Sequence, residues 1–322
     1  MPEQQPAVAV VVLNWNNGPD TVAAIRSLAE SDYPNQSVLV VDNGSTDDSL
    51  AQIRAAASEV EILALASNLG YAEGNNVAIR HVLARRPDYV LVLNNDTLVA
   101  PDMISQLVAI AERSPRIGMV GPAMYCEQPR DLVFCLGSRV NWRQGALNHR
   151  GMFQDASVHV QLNEPEAVDF ILGCAVLVKR SAIEAVGLMN PAYYLNYEDV
   201  EWGIDAGRAG FEVWYAPQAI LWHKVSATLG RASPANTYYM TRNALLFFWR
   251  NGRGAALWLA LWRILFRTTR SVLAWSFKPE YRTDRDRRKR TANILAVRDF
   301  FLGRFGAMGP DVAAVCYGPS TR

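Results

Sequence analysis

The chain has 322 residues, half of them hydrophobic and a fifth charged, with 32 Lys+Arg against 31 Asp+Glu. That composition fits a soluble globular protein with room for one large domain or two ordinary ones, and no internal repeat or low-complexity segment interrupts it. No stretch approaches 18 uncharged apolar residues, which excludes a transmembrane helix, and "MPEQQPAVAVVVLNW" lacks the basic start of a signal peptide. Cys126, Cys135, Cys174 and Cys316 have neither zinc nor redox spacing and read as reduced thiols of a cytosolic protein. The net charge of +1 hides a split: residues 1–239 hold 16 Lys+Arg against 26 Asp+Glu, and residues 240–322 hold 16 against 5. The basic tail suits something anionic: a membrane surface, nucleic acid or the acidic body itself.

In chain order, Val8–Leu13 is a β-branched apolar run, as expected of a strand covered on both faces. Gly18-Pro19 breaks it and opens a helix to about Glu30. Ser37–Val41 reads as a second strand; "DNGSTDDS" then turns into a helix over 48–57, with Ser45, Thr46 or Asp47 as N-cap. Glu61–Ala66 is a third strand, and "NLGYAEGNN" (68–76) opens a helix to about Arg85. Tyr89–Leu93 is a fourth strand, 101–113 a helix and Ile117–Val120 a fifth strand. Strands alternating with helices of this length predict an α/β fold with a parallel sheet and right-handed crossovers. From 125 to 165 the pattern loosens into short β-like runs. Val168–Val178 is apolar with Gly173 inside it, which suggests a close backbone approach. Residues 196–210 read as a helix with acids in its first turn and Gly210 at its end, and 211–223 as short strands.

Ligands on such sheets bind beyond the carboxyl ends of the strands. The polar clusters sit there: "NWNN", "DNGSTD", "NLGYAEGNN" and "NND" follow strands one to four. Each alone is ordinary turn chemistry, but four on one edge point to a ligand site.

Beyond about residue 234 the character changes. Ala255–Phe277 is rich in Leu and Trp, and Arg263, Arg267 and Arg270 form a basic stripe on an otherwise apolar helix, with Trp258, Trp262 and Trp275 on the rest of its circumference. "YRTDRDRRKR" (281–290) adds six bases and two acids. Either a helix lying in a membrane interface or a helical hairpin packed on the body would have this composition; the coincidence of Trp with positive charge favours the membrane over 254–290.

There is no GxxxxGK[ST] loop and no GxGxxG after strand one, which argues against a P-loop NTPase and a dinucleotide oxidoreductase. Carboxylates at strand ends suit a hard divalent cation, Mg²⁺ or Mn²⁺, carrying a diphosphate, and a nucleotide-sugar diphosphate is the obvious candidate. Among Glu198, Asp199 and Glu201, helix-dipole pairing and general-base chemistry are equally open from the residues alone. His223 read alone is better taken as a structural histidine capping a strand than as a ligand.

Taken together, "VVVLNWNN", "VVDNGSTDDS", "NLGYAEGNN", "VLVLNND", "YYLNYEDVEWGIDAGRAGFEVWYAP" and "LWHKVS" match in order and spacing over residues 8–228. This set resembles the family 2 glycosyltransferases of GT-A fold, nearest to rhamnosyltransferase-like and galactofuranosyltransferase-like members. The resemblance implies a nucleotide-sugar-binding catalytic domain over 1–233 and a helical region over 234–322. It implies Asp42 on the pyrimidine base; Asn14, Trp15 and Asn16 lining the nucleotide pocket; Asn68, Gly70 and Asn75 near nucleotide and sugar; Asp96 and His223 on the metal; and Asp199 as base, with Glu198 or Glu201 as the alternative. The family's DxD position reads Asn94-Asn95-Asp96, so Asn94 and Asn95 are expected to hydrogen-bond ribose, backbone or metal-bound water. The QxxRW motif of processive synthases is absent, which implies addition of one or few sugars. The expected enzyme is an inverting, metal-dependent transferase, peripheral on the inner face of the cell membrane. It would move a sugar, plausibly rhamnose from dTDP-rhamnose, to a glycan or lipid-linked acceptor, without nucleic acid as partner. A homo-oligomer is left open, and the rival readings are a sugar nucleotidyltransferase and a non-catalytic binding protein.

Overall fold

The computed structural model describes residues 5–224, 233–278, 280 and 283–318. The chain runs β1 (Val8–Asn14), α1 (Gly18–Ala29), β2 (Gln36–Asp42), α2 (Ser49–Ala56), β3 (Glu61–Ala64), α3 (Gly70–Leu83), β4 (Tyr89–Asn94), β5 (Thr97–Val99) and α4 (Met103–Ala111). Next come β6 (Ile117–Cys126), β7 (Val133–Cys135), β8 (Ser138–Asn141), β9 (Ala146–His149), α5 (Ser157–Gln161), β10 (Glu166–Val168), β11 (Ala175–Lys179), α6 (Arg180–Val186), α7 (Glu198–Arg208) and β12 (Glu212–His223). Four helices close it: α8 (Pro234–Asn251), α9 (Gly254–Phe277), α10 (Asp284–Phe301) and α11 (Pro310–Tyr317).

The main sheet is ordered β10-β12-β6-β11-β4-β1-β2-β3, with β5 on β12 and β7 on β6. Strands β4, β1, β2 and β3 are mutually parallel; the apolar runs of β4, β1 and β2 are buried, as a helix-covered parallel sheet requires, while the edge strand β3 is only partly covered. The register pairs Leu13 with Asn94 and Asn14 with Asp42, so the polar residues that end three strands share one edge.

Three expectations need correction. The fifth predicted strand, β6, does not lie beside β4: β11 inserts between them, antiparallel to both. The apolar run Val168–Val178 therefore divides, because residues 169–174 leave the sheet between β10 and β11 to reach the ligand edge. The stretch after Gly210 is one long strand rather than several, parallel to β6, with a register shift between Ala216 and Ile220 where Pro217 cannot donate to the ladder. Finally, α2 begins after Asp48 without a side-chain cap: Asp47 accepts the Ser49 amide at 3.0 Å, while Ser45 and Thr46 turn back to the end of β1.

A second buried cluster crosses from the sheet body into the helical region, joining Phe170, Tyr193, Tyr197 and Val200 to Leu245, Phe247 and Phe248 of α8 and to Ala260, Leu261 and Ile264 of α9. The C-terminal helices thus share a core with the body. Among the described residues no helix is long and apolar enough to cross a membrane.

Candidate active site

At the carboxyl edge of β1, β2 and β4 the polar side chains divide into two sets. The first is a closed network. The Asn14 amide donates to Asp42 Oδ1 at 2.8 Å and to Ser45 Oγ at 3.1 Å, while its Oδ1 accepts from Thr21 at 2.7 Å and from Asn95 at 3.3 Å. Asn95 also donates to Thr21 Oγ1 at 2.9 Å. Asp42 Oδ1 takes the Ser45 hydroxyl at 2.6 Å and Oδ2 its amide at 3.2 Å. Burial makes each bond obligatory, because an orphaned amide there would cost about 1–3 kcal/mol. Asn14 and Asp42 consequently stand behind the edge, buried and off the wall of the cavity described below. Asn16, in left-handed backbone at φ 51°, is exposed and grips Thr46 instead.

The second set faces inward and is unsatisfied. The turn after β4 leads into β5, which pairs with the end of β12 so that Thr97 lies opposite His223. This brings His223 Nε2 to 3.1 Å from Asp96 Oδ1, with the two side chains only 9% and 8% exposed. The pair is misaligned for a hydrogen bond: Asp96 Oδ1 has no donor, and His223 Nδ1 has no partner either. A buried carboxylate and imidazole left in this state suit a cation between or beside them. Among the described residues no group of three or more His, Cys, Asp or Glu could hold a metal, so two protein ligands are what the site offers.

These two residues sit on the wall of a cavity of about 290 Å³ with Trp15, Asn43, Asn68, Gly70, Asn94 and Asn95. Asn68 Oδ1 collects the Gly70 amide at 2.8 Å and the Asn43 side chain at 3.1 Å. Gly70 has φ +82°, and a Cβ there would come within 2.5 Å of the Tyr194 ring, so neither the backbone nor the space admits a side chain. Asn75 is buried beneath α3, donating to Tyr71 O at 2.9 Å, and is not on the cavity wall.

Asp199 and Glu198 open α7 one layer behind. Gly173 N–H donates to Asp199 Oδ2 at 2.8 Å and Val200 N–H to Oδ1 at 2.8 Å. The Tyr71 hydroxyl, on the cavity wall, donates to Gly173 O, and Cys174 O accepts the Asn94 amide at 2.9 Å. One dipeptide, Gly173-Cys174, thus ties the β4 end, α3 and α7 together. A Cβ on Gly173 would sit 3.0 Å from the Tyr71 oxygen, which accounts for the glycine that interrupts the apolar run. Burial raises the carboxyls of both Asp199 and Glu198; the two amide donors hold Asp199 back, while the charge of Asp199 pushes Glu198 further up. Glu198 Oε2 is buried without a partner. Of the two, Glu198 is the carboxyl pushed toward the protonated form by both burial and its neighbour's charge, while the amide donors favour charge on Asp199. Glu201 is different: it accepts from Asn190, Tyr193, Arg250 and Asn251 at 2.7–2.9 Å, and these donors lower its carboxyl against the cost of burial. It anchors α8 to α7.

Sequence reasoning missed how far the helical region enters the site. Tyr194, Asn196, Asn236, Tyr239 and Tyr317 complete the cavity wall. Residues Tyr194, Asn196 and Tyr197 all have φ between 64° and 78°, a costly run for non-glycine residues. Two buried neighbours on α8 hold it: Asn243 donates to the carbonyls of Tyr193, Leu195 and Asn196 at 2.8–2.9 Å, and Arg242 donates to Tyr193 O at 3.1 Å with Tyr238 and Tyr239 against its guanidinium. The only available sign was an Arg-Asn pair in an aromatic helix, "YYMTRNALLFF". Val225 and Ser226 of "LWHKVS" lie outside the described residues.

The comparisons with known proteins agree with this geometry. The profile described as "Glycosyltransferase like family 2" matches residues 6–241. A Mycobacterium tuberculosis protein named N-acetylglucosaminyl-diphospho-decaprenol L-rhamnosyltransferase is 30% identical over 235 residues, 68% of this chain and 76% of its own. The dTDP-rhamnosyl transferase RfbF of Shigella flexneri is 22% identical over 85% of this chain and 91% of its own. In fold, the chain is similar to the mannosyltransferase PcManGT of Pyrobaculum calidifontis, solved with GDP-Man and Mn²⁺, at a TM-score of 0.59, 18% identity and coverage of 94% and 89% of the two chains. It is also similar to S. aureus TarS 1-349 in complex with UDP-GlcNAc, at a TM-score of 0.56, 17% identity and coverage of 96% and 83%. With its mostly parallel sheet, its carboxyl-edge cavity and a family match over most of its length, the chain belongs to glycosyltransferase family 2 and is a glycosyltransferase of GT-A fold.

Proposed function

We propose that this enzyme is an inverting, metal-dependent transferase that moves rhamnose from dTDP-rhamnose to a lipid-linked glycan at the inner face of the cell membrane. The observation that carries the metal-dependent part is the unsatisfied Asp96–His223 pair on the cavity wall. The names of the two rhamnosyltransferase relatives support the donor, and the decaprenol-linked acceptor in one of them supports a lipid-linked substrate.

Asp96 and His223 would hold a Mg²⁺ or Mn²⁺, which when bound supplies positive charge against the departing diphosphate. Trp15, on the cavity wall, offers an aromatic face to the base, and Asp42 braces the strand end behind it through Ser45. Asn14 and Asn75 support this shelf from behind and Asn16 from its exposed rim through Thr46, while Asn68, Gly70, Asn94 and Asn95 line the cavity where nucleotide and sugar would sit. Asp199 takes the proton of the acceptor hydroxyl as that oxygen bonds the anomeric carbon and the bond to the diphosphate breaks on the opposite face. Charge on Asp199, with the proton left on Glu198, is the state this step needs. The division near residue 233 is one of labour: the first part carries donor and base, and the helical part closes the acceptor side and works at the membrane.

The test is product analysis with dTDP-rhamnose, a lipid-linked glycan and Mn²⁺. Release of free nucleoside diphosphate that EDTA abolishes supports the reading. Pyrophosphate as product, or full activity in EDTA, overturns it.

A further inference from the structure

Arg263, Arg267 and Arg270 read from the sequence as one basic stripe on α9, and the structure divides them. Arg263 donates to Arg143 O at 2.9 Å, and Arg267 donates to Gln144 O at 2.7 Å and to Gly145 O, so both grip the turn between β8 and β9. Ala260, Leu261 and Ile264 are buried on the same side of the helix. Among the described residues the opposite side is left uncovered. Trp258, Trp262, Phe266, Leu273 and Phe277 recur at helical spacing and are 50–77% exposed, and Trp249 of α8 extends the row with its ring 6.0 Å from that of Trp258. The row from Trp258 to Phe277 is about 28 Å long at a helical rise of 1.5 Å per residue. Soluble surfaces rarely leave such a contiguous aromatic strip to water.

We propose that this outward face of α9 docks on an anionic lipid bilayer. Charge decides the occupant. The helix contains three Arg and no acid across Gly254–Phe277. Arg270 follows Phe266 by one turn and is exposed; Arg253 and Lys278 stand exposed at the two ends, Lys278 beside Glu280 at 3.5 Å. An apolar, Trp-bearing strip bordered by cations is the pattern of a helix lying in a membrane interface. A two-fold contact between copies of this chain would instead set these cations against themselves, with no acid on the helix to offset them. Because no described helix is long and apolar enough to cross the bilayer, α9 lies on it. The face gains its purpose from the proposed lipid-linked acceptor and rests on that reading to this extent: it would hold the enzyme where the acceptor is.

The experiment is co-sedimentation of the full chain with vesicles of phosphatidylcholine alone or mixed with phosphatidylglycerol. The native chain is expected to pellet with the mixed vesicles and much less with the neutral ones. Trp258→Ser/Trp262→Ser/Phe266→Ser should weaken binding to the mixed vesicles at least tenfold, and Arg270→Gln about fivefold, with little effect of Arg270→Gln on neutral vesicles. Circular dichroism and nucleotide-sugar binding, unchanged in both variants, exclude misfolding. A native chain that stays in the supernatant, variants that pellet normally, or a dimer in sedimentation equilibrium that the triple variant dissolves would each overturn the proposal. Vesicle binding by a chain that transfers no sugar would leave it standing while the proposed reaction falls, so the two fail separately.

Discussion

Two neighbouring patches of one sheet edge treat buried polar groups in opposite ways. Around Asn14, every amide and carboxylate oxygen named finds a partner within the protein. A few residues along, the Asp96 and His223 side chains are 8% and 9% exposed but face each other without a hydrogen bond. The first arrangement stabilises the fold as it stands. The second costs stability until something binds. The same residue types at strand ends thus form a satisfied framework in one patch and the proposed ligand pair in the other, and satisfaction separates them where residue type cannot.

The largest effect expected from breaking this contrast belongs to the base. Asp199→Asn should lower kcat by about 10²–10⁴ while donor binding changes less than about twofold, checked by steady-state kinetics and calorimetry. A near-normal rate would remove Asp199 from the chemistry. Next, Asp96→Asn and Asn14→Ala should act in opposite senses on metal-free protein. Asp96→Asn removes an unpaired buried charge and should leave the melting temperature unchanged or raise it, while activity drops by about two orders of magnitude. Asn14→Ala removes the bonds to Asp42, Ser45, Thr21 and Asn95 from the buried network and should cost about 1–3 kcal/mol, a fall of several degrees in thermal unfolding. If both variants melt alike, the division into framework and ligand is wrong.

A smaller effect concerns Glu198. Its carboxyl is raised in the folded chain by burial and by Asp199, so the folded state holds a proton that the unfolded state has released. Stability is then full below the unfolded carboxylate range and declines as pH rises toward the folded pKa. Glu198→Gln keeps the hydrogen and removes the titration. It should flatten that decline in denaturant unfolding from pH 4 to 8 and be more stable than the native chain at neutral pH. The acid limb of activity belongs to Asp199, whose carboxyl is also raised, so the rate should fall at a higher pH than for an ordinary aspartate.

Local patterns made the parallel half of the sheet legible: β1 to β4 and their helices follow from apolar runs, Gly-Pro and Asn-Gly breaks. The insertion of β11 between β4 and β6 was not legible, since antiparallel pairing of Ala175–Lys179 is decided by residues 82–90 positions away. The polar strand ends were visible as a set, but their sorting was not. Nothing in "NWNN" or "NND" says that Asn14 and Asn95 bond each other while Asp96 stays free of donors. The C-terminal helices were read by composition, which exposed their Trp and Arg content and hid the use of each. Arg263 and Arg267 serve the β8–β9 turn, and Arg242 and Asn243 hold the left-handed segment at Tyr194–Tyr197.

The most direct test of the central claim is calorimetric titration of nucleoside diphosphate into native enzyme and His223→Ala, each with Mn²⁺ and with EDTA. The Asp96–His223 pair as the metal-holding group predicts that Mn²⁺ tightens binding to the native chain at least tenfold and that His223→Ala loses most of this gain. Equal affinity with Mn²⁺ and EDTA in the native chain, or a full Mn²⁺ gain in His223→Ala, would contradict it.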